Sequence, residues 1–134
     1  MIGVVIVSHE NIAKEFLKVL EHIVGKQERV FAISIFPDDD MEKKRNQILE
    51  LVKKAETGSG VIVLTDMFGG TPSNLAISML REGKVEVLAG VNLPMLIKLA
   101  EARKDASLSD AAQKAKDAGQ RYIAIASQIL AGKT

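Results

Sequence analysis

The 134-residue sequence contains no cysteine and no tryptophan, one tyrosine and three prolines. Without cysteine there is no disulfide staple and no thiolate to act as nucleophile or metal ligand, which is compatible with a reducing compartment. Aromatic residues make up only 4%, leaving little side-chain surface on which a flavin or base ring would stack. No apolar run approaches the ~20 residues that span a bilayer. The apolar start lacks the basic leader of a signal peptide and is cut short by Ser8-His9-Glu10. Charge of one sign is missing as well: eighteen basic residues face seventeen acidic ones, for a net charge of +1. No polybasic block exists to grip nucleic acid or anionic lipid. These absences lead us to expect a cytoplasmic protein with no nucleic-acid partner and no membrane insertion.

What is present is an ordinary globular balance, 47% hydrophobic and 26% charged, in a length that suits one domain over residues 1–134. Folding at this size buries roughly two-thirds of the surface of the unfolded chain. Gly3-Val4-Val5-Ile6-Val7 is short, mostly β-branched and without in/out alternation, the pattern of a strand buried on both faces of a parallel sheet. Ile12, Phe16, Val19, Leu20 and Ile23 then recur at helical spacing, with Asn11 or Ser8 as cap and Gly25 as stop. A second strand is predicted over Arg29–Phe36. The Asp38-Asp39-Asp40 run caps a second helix with Met41, Ile48, Leu49, Val52 and Ala55 on its buried stripe. Val61–Thr65 reads as a third strand, ending at Asp66 as the first ends at His9. Thr71 is the expected N-cap and Pro72 the first residue of a third helix carrying Leu75, Ala76, Met79 and Leu80. Val85–Ala89 reads as a fourth strand, followed by a helix with Leu96, Leu99 and Ala100 and by a last helix starting near Ser107 or Ser109. For Gly119–Leu130 the pattern does not separate strand from helix. Strands alternating with helices predict a three-layer α/β/α fold with a mainly parallel sheet in the order 2-1-3-4.

In such a sheet the crevice lies above the carboxyl ends of the strands, where the winding direction reverses. If strands one and three are neighbours, His9 and Asp66 face each other there. A carboxylate accepting the Nδ1 proton fixes the tautomer and leaves Nε2 with a lone pair, making His9 a positioned nucleophile. Gly69-Gly70-Thr71 offers main-chain N–H groups and a hydroxyl to an anion beside it. This combination suits phosphoryl transfer to and from histidine, with no metal and no cofactor. His22 belongs to the pattern of the first helix and reads as structural. Glu42–Arg45 and Lys53-Lys54 read as solvated helix faces, and Phe36 and Phe68 as core or rim. A nucleotide- or flavin-binding domain of similar architecture is the competing reading, but no Gly-x-Gly-x-x-Gly follows the first strand.

Three stretches, Val4–His9, Thr65–Asn74 and Val87–Leu96, together resemble the mannose-class IIA components of the bacterial sugar phosphotransferase system. The resemblance covers almost the whole chain and weakens after about Ala106. It implies that His9 accepts a phosphoryl group from the histidine phosphocarrier protein HPr and passes it to a IIB protein or domain for sugar uptake and phosphorylation. By the same match Asp66 orients His9, and Thr71 stands at the position of a family hydroxyl near the phosphate. It further implies a homodimer in which Tyr122–Ser127 form an antiparallel strand on the partner's sheet. The chain departs from the family at Glu10, where a small residue is common; with Ser8 it is a candidate modulator of the site. The absence of a linker and IIB domain after Thr134 suggests a stand-alone IIA protein. The same features suit a regulatory IIA protein that signals by its phosphorylation state without transport. The phosphocarrier subunit of dihydroxyacetone kinase also begins with a strand and Ser-His, and ranks second.

Overall fold

The apolar amino-terminal run forms β1 (Gly3–His9), in which every residue except His9 is buried. In this computed structural model, which describes residues 1–132, β1 lies between β2 (Val30–Ile35) and β3 (Val61–Thr65), and β4 (Val85–Ala89) lies beyond β3. All three pairings are parallel, giving the order β2-β1-β3-β4. The register sets Val7 opposite Thr65 and His9 opposite Ile35. The helices are α1 (Ile12–Val24), α2 (Met41–Ala55), α3 (Thr71–Ile77), α4 (Leu93–Ala102), α5 (Leu108–Arg121) and α6 (Ala126–Leu130). Among the described residues no helix is long and apolar enough to cross a membrane.

Side chains alternate across a strand, so the unbroken apolar runs of β1 and β3 feed two cores at once. Val4, Ile6, Ile62 and Leu64 pack with residues of α1, α4 and α5. Val5, Val7, Val61 and Val63 pack with residues of α2 and α3. Burying one such side chain fully stabilises the fold by roughly 1.5–3 kcal/mol. The two central strands therefore anchor both layers. Gly3 is where α2 comes closest: a Cβ there would collide with the carbonyl and side chain of Ala55.

Several helix details differ from the sequence-based expectation. On α1 the core face runs through Ala13, Phe16, Leu17 and Leu20, whereas Ile12, Val19 and Ile23 are exposed. The two sets are one residue apart on the wheel, which spacing alone does not separate. Asn11 holds the N-cap position without a side-chain capping bond, its Oδ1 accepting the Ser34 hydroxyl at 3.2 Å, and the Oγ of Ser8 instead accepts the Ala13 N–H at 2.6 Å. In α3 the N-cap is Gly70 and Thr71 is the first helical residue. The helix ends at Ile77, and Leu80 is exposed rather than buried. Asp40 and Ser107 do cap α2 and α5. The expected strand over Tyr122–Ser127 is not formed in the single chain: α6 begins at Ala126. Neither edge of the chain's own sheet takes up this segment, and a strand without a neighbour leaves its ladder groups unpaired.

A side chain that gave no signal in the sequence ties the lower end of the sheet together. Arg103, 2% exposed, donates from Nε to the Ile2 carbonyl at 2.9 Å. Its guanidinium also donates to the Glu28 carbonyl at 2.6 Å. The Arg103 carbonyl in turn accepts the Ile2 N–H at 3.0 Å. Burial lowers the pKa of this guanidinium, and the charge of Glu28 opposes that effect. Replacing Arg103 by Met keeps the volume but strands buried carbonyls, each at a cost of about 1–3 kcal/mol. We expect the urea midpoint of Arg103→Met at fixed protein concentration to fall by the equivalent of about 3 kcal/mol, with an unchanged m-value. An unshifted midpoint would show that the clamp contributes nothing.

Candidate active site

Between β1 and β3 the winding direction reverses: the chain leaves β1 toward β2 on one side and leaves β3 toward β4 on the other. His9 ends β1 and Asp66 follows β3, so both stand at that switch point. The Nδ1 atom of His9 lies 2.8 Å from Oδ2 of Asp66. The same oxygen accepts the main-chain N–H of His9 at 2.9 Å, so ring and backbone of one residue share one acceptor. Oδ1 of Asp66 accepts the Met67 N–H at 3.0 Å and the Thr65 hydroxyl at 3.4 Å. Burial by itself would raise the Asp66 pKa. The hydrogen bonds from His9, the charge of the imidazole and the Met67 N–H outweigh burial and hold the carboxyl below its usual value of 3.8. An ionised Asp66 can only accept, so Nδ1 carries the proton of this contact, and in the neutral ring Nε2 is the nitrogen with the lone pair.

The two side chains differ in access. The His9 side chain is 47% exposed and that of Asp66 14%, which leaves the imidazole open to a reactant and its orienting carboxylate sheltered. Gly70 borders the free nitrogen: a Cβ there would stand 3.2 Å from both Cε1 and Nε2 of His9. Its missing side chain keeps room above Nε2. Gly69 makes the turn with φ of +87°, a region that favours glycine. Its N–H is occupied by the Ser73 Oγ at 3.1 Å, so Gly69 is not a free donor for an anion as the sequence reading had it. Ser73 also donates to the Gly70 carbonyl at 3.0 Å. Ser73 thus braces the glycine turn from the first turn of α3, a role that only its position three residues after Gly70 could have signalled. The main-chain N–H groups of Gly70 and Thr71 and the Thr71 hydroxyl meet no protein acceptor among the described residues. Thr71 is exposed at the mouth.

The two candidate modulators fall in different places. Ser8 is fully buried; besides capping α1, its hydroxyl donates to the His9 carbonyl at 3.1 Å. It holds the turn and does not open into the crevice. Glu10 is exposed, donates its N–H to the Ile35 carbonyl at 2.9 Å, and has φ of +47°. A side chain in this left-handed region costs about 1–2 kcal/mol, which glycine avoids. Glu10 also borders an open groove of about 470 Å³ shared with Ile12, Phe16, Val19 and Leu93. His22 is exposed in the last turn of α1, away from the crevice.

The site and fold together define a parallel three-layer α/β domain with an aspartate-held imidazole at its switch point. A family model described as the PTS system fructose IIA component, EIIA-man, matches residues 3–116. The chain is 36% identical over 105 residues, 78% of its length, to the mannose-specific EIIAB component of the phosphotransferase system of Escherichia coli K12. That match spans 32% of the Escherichia coli protein, so this chain covers about a third of the length of that relative. With the fructose-specific EIIA component of Bacillus subtilis it shares 28% over 131 residues, covering 97% of this chain and 90% of that one. The crystal structure of an EIIA component from Streptococcus agalactiae superposes with a TM-score of 0.85 at 30% identity, covering 96% of this chain and 99% of that one. The chain belongs to the EIIA-man family, the mannose-class IIA components of the phosphotransferase system.

The strain at Glu10 yields a direct expectation. Glu10→Gly should raise stability by about 1 kcal/mol, a gain of a few degrees in thermal midpoint. A midpoint that falls would mean that the Glu10 side chain makes a compensating contact in solution.

Proposed function

We propose that His9 is the phosphoryl carrier of a relay, taking the group on Nε2 from the histidine phosphocarrier protein HPr and delivering it to a IIB protein or domain, from which it reaches a sugar. The observation that supports this most is the 2.8 Å contact between Nδ1 of His9 and Oδ2 of Asp66. It holds the opposite nitrogen bare beside the space left by Gly70. In the forward step the Nε2 lone pair forms the new N–P bond as the P–N bond to the donor's histidine breaks, and that nitrogen recovers its lone pair. The His9 ring becomes a phosphorylated cation that keeps its Nδ1 proton, and ionised Asp66 stabilises that charge. The reverse sequence, with the IIB acceptor attacking phosphorus, returns His9 to its starting tautomer. The Thr71 hydroxyl and the N–H groups of Gly70 and Thr71 are the donors available to the phosphoryl oxygens, while Gly69 contributes the turn. Glu10 sets a carboxylate next to this anion and modulates transfer. Exposed Met67, Phe68 and Ile12 offer apolar surface near the crevice for the two partners, both of which act at a cytoplasmic location.

Incubation with HPr that is itself phosphorylated should place acid-labile phosphate on the wild type and none on His9→Gln. Asp66→Asn should remain folded and slow transfer by about 10² to 10⁴, the size of a lost general acid–base contribution. An unlabelled wild type, or an Asp66→Asn variant as fast as wild type, would refute the respective assignments.

The same reading includes a homodimer joined through Tyr122–Ser127. In the single chain this tail carries an unusual density of exposed apolar side chains, with Ile123 at 76% and Leu130 at 88%. Among the described residues no strand lies beside the outer edge of β4 beyond the single bridge of Arg81 to Val85. An antiparallel tail from a second copy would cover both. Light scattering should give twice the monomer mass for the full chain and the monomer mass for a chain truncated after Tyr122. A monomeric full chain would remove the dimer from the proposal.

A further inference from the structure

At the amino ends of β3 and β4, the end of the sheet opposite His9, lies a cleft of about 740 Å³ between α2 and the segment that follows α3. The length of β3 alone separates it from Asp66 by roughly 15 Å. Its lining divides into two kinds of surface. The floor is apolar: Val52, Met79 and Val85 are buried and Leu49 is half-buried. The rim is cationic, with Arg45, Lys53, Arg81 and Lys84 against Glu56 alone. Glu56 is already occupied, its Oε1 accepting the N–H groups of Gly58 and Gly60. Lys53 shares an exposed 3.7 Å pair with Glu50, a type of contact that contributes little. Arg45, Arg81 and Lys84 have no carboxylate within salt-bridge distance among the described residues. A chain whose net charge is only +1 thus concentrates four positive charges around one concavity.

We propose that this cleft binds a nucleotide-class small molecule, with its phosphates on the Arg45, Lys53, Arg81 and Lys84 rim and its ring on the Leu49, Val52, Met79 and Val85 floor. The volume falls within the range of small-molecule sites, roughly 300–1,000 Å³. Arginine and lysine supply the charge-assisted donors that phosphate takes. The floor decides between ligand bodies. A sugar phosphate presents hydroxyls that need polar partners, and the one hydroxyl in the lining, Ser78, is donated to the Leu75 carbonyl at 2.6 Å. A nucleotide carries hydroxyls on its ribose too, but it adds a base whose flat faces suit an apolar floor, while its ribose and polar ring edge can stay in solvent at the open side of the cleft. Gly60, which precedes β3, and Ser78, which follows α3, both line the cleft, so a bound nucleotide lies at the far ends of the two elements that lead to Asp66 and from Gly70.

Amide NMR of the isotopically labelled, unphosphorylated protein, titrated separately with ADP, adenosine, pyrophosphate and poly-glutamate at about 0.15 M ionic strength, tests this assignment. ADP should shift the amides of Gly58, Gly60, Ser78, Arg81 and Lys84 saturably, with Kd below about 1 mM. Adenosine and pyrophosphate should each bind at least about tenfold more weakly. The pair Arg81→Gln and Lys84→Gln should weaken ADP at least about tenfold and leave phosphorylation of His9, measured without nucleotide, at the wild-type rate. If that pair fails to fold, Lys53→Gln alone, at an exposed side chain, should still weaken ADP. Absence of saturable ADP shifts, shifts centred on His9 and Thr71, pyrophosphate binding as tightly as ADP, or ADP binding that survives charge removal would overturn the proposal. So would saturation by poly-glutamate in place of ADP, which would assign the cleft to an acidic protein segment.

Discussion

The pairing of β1 with β3 is the constraint on which the other features rest. It is parallel, buried on both faces, and links the start of the chain to its middle. Because each strand alternates its side chains between two cores, a slip of one residue would exchange the α1/α4/α5 set for the α2/α3 set. Val4 and Val5, or Ile62 and Val63, would then each face the wrong layer. The register that satisfies both cores is also the one that brings the ends of the strands level, with Val7 opposite Thr65. Two residues on from Val7 is His9, and one on from Thr65 is Asp66. The geometry of the site is therefore set by apolar packing inside the sheet.

The turns leaving the strands convert that alignment into chemistry. Ser8 fixes the exit of β1 through its contacts with the Ala13 N–H and the His9 carbonyl. Ser73 fixes the exit of β3 through Gly69 and Gly70. Both hydroxyls are buried, and each satisfies main-chain groups that a sharp turn leaves without partners. Asp66 is held from three directions, by His9, Met67 and Thr65, so its carboxylate cannot rotate away without breaking several hydrogen bonds at once. The exposed imidazole is in this way supported by groups that solvent barely reaches.

Much of this was legible in the sequence, and the parts that were not share a cause. Fully buried strands announce themselves as unbroken β-branched runs, so β1, β3, their ends and the parallel sheet could be read from Val4–Val7 and Val61–Leu64. The side chains standing at the crevice follow from those ends. The caps at Asp40 and Ser107 were readable because capping is local. Which flank of α1 would face the core was not, since Ile12, Val19 and Ile23 are as apolar as Leu17 and Leu20, and only tertiary packing chooses between them. Thr71 has the composition of an N-cap, yet Ser73 captures the turn and moves the helix start by one residue. Arg103 meets Ile2 and Glu28 across most of the chain, and the cationic cleft is assembled from segments between Arg45 and Val85. Neither contact has a local signature. The tail after Tyr122 is ambiguous because Ile123, Ile125 and Ile129 suit either period and stay exposed, so packing within the chain does not choose between strand and helix.

One oxygen of Asp66 accepts both the main-chain N–H that closes β1 and the ring N–H of the same histidine. Movement of that oxygen would therefore release the end of the strand and the imidazole together. Local opening free energies in folded proteins range from near zero to the full unfolding value, so the amide of His9 has its own opening equilibrium. Its rate of hydrogen–deuterium exchange would report the fraction of time the ring is released, coupling a dynamic observable of the backbone to the readiness of the side chain.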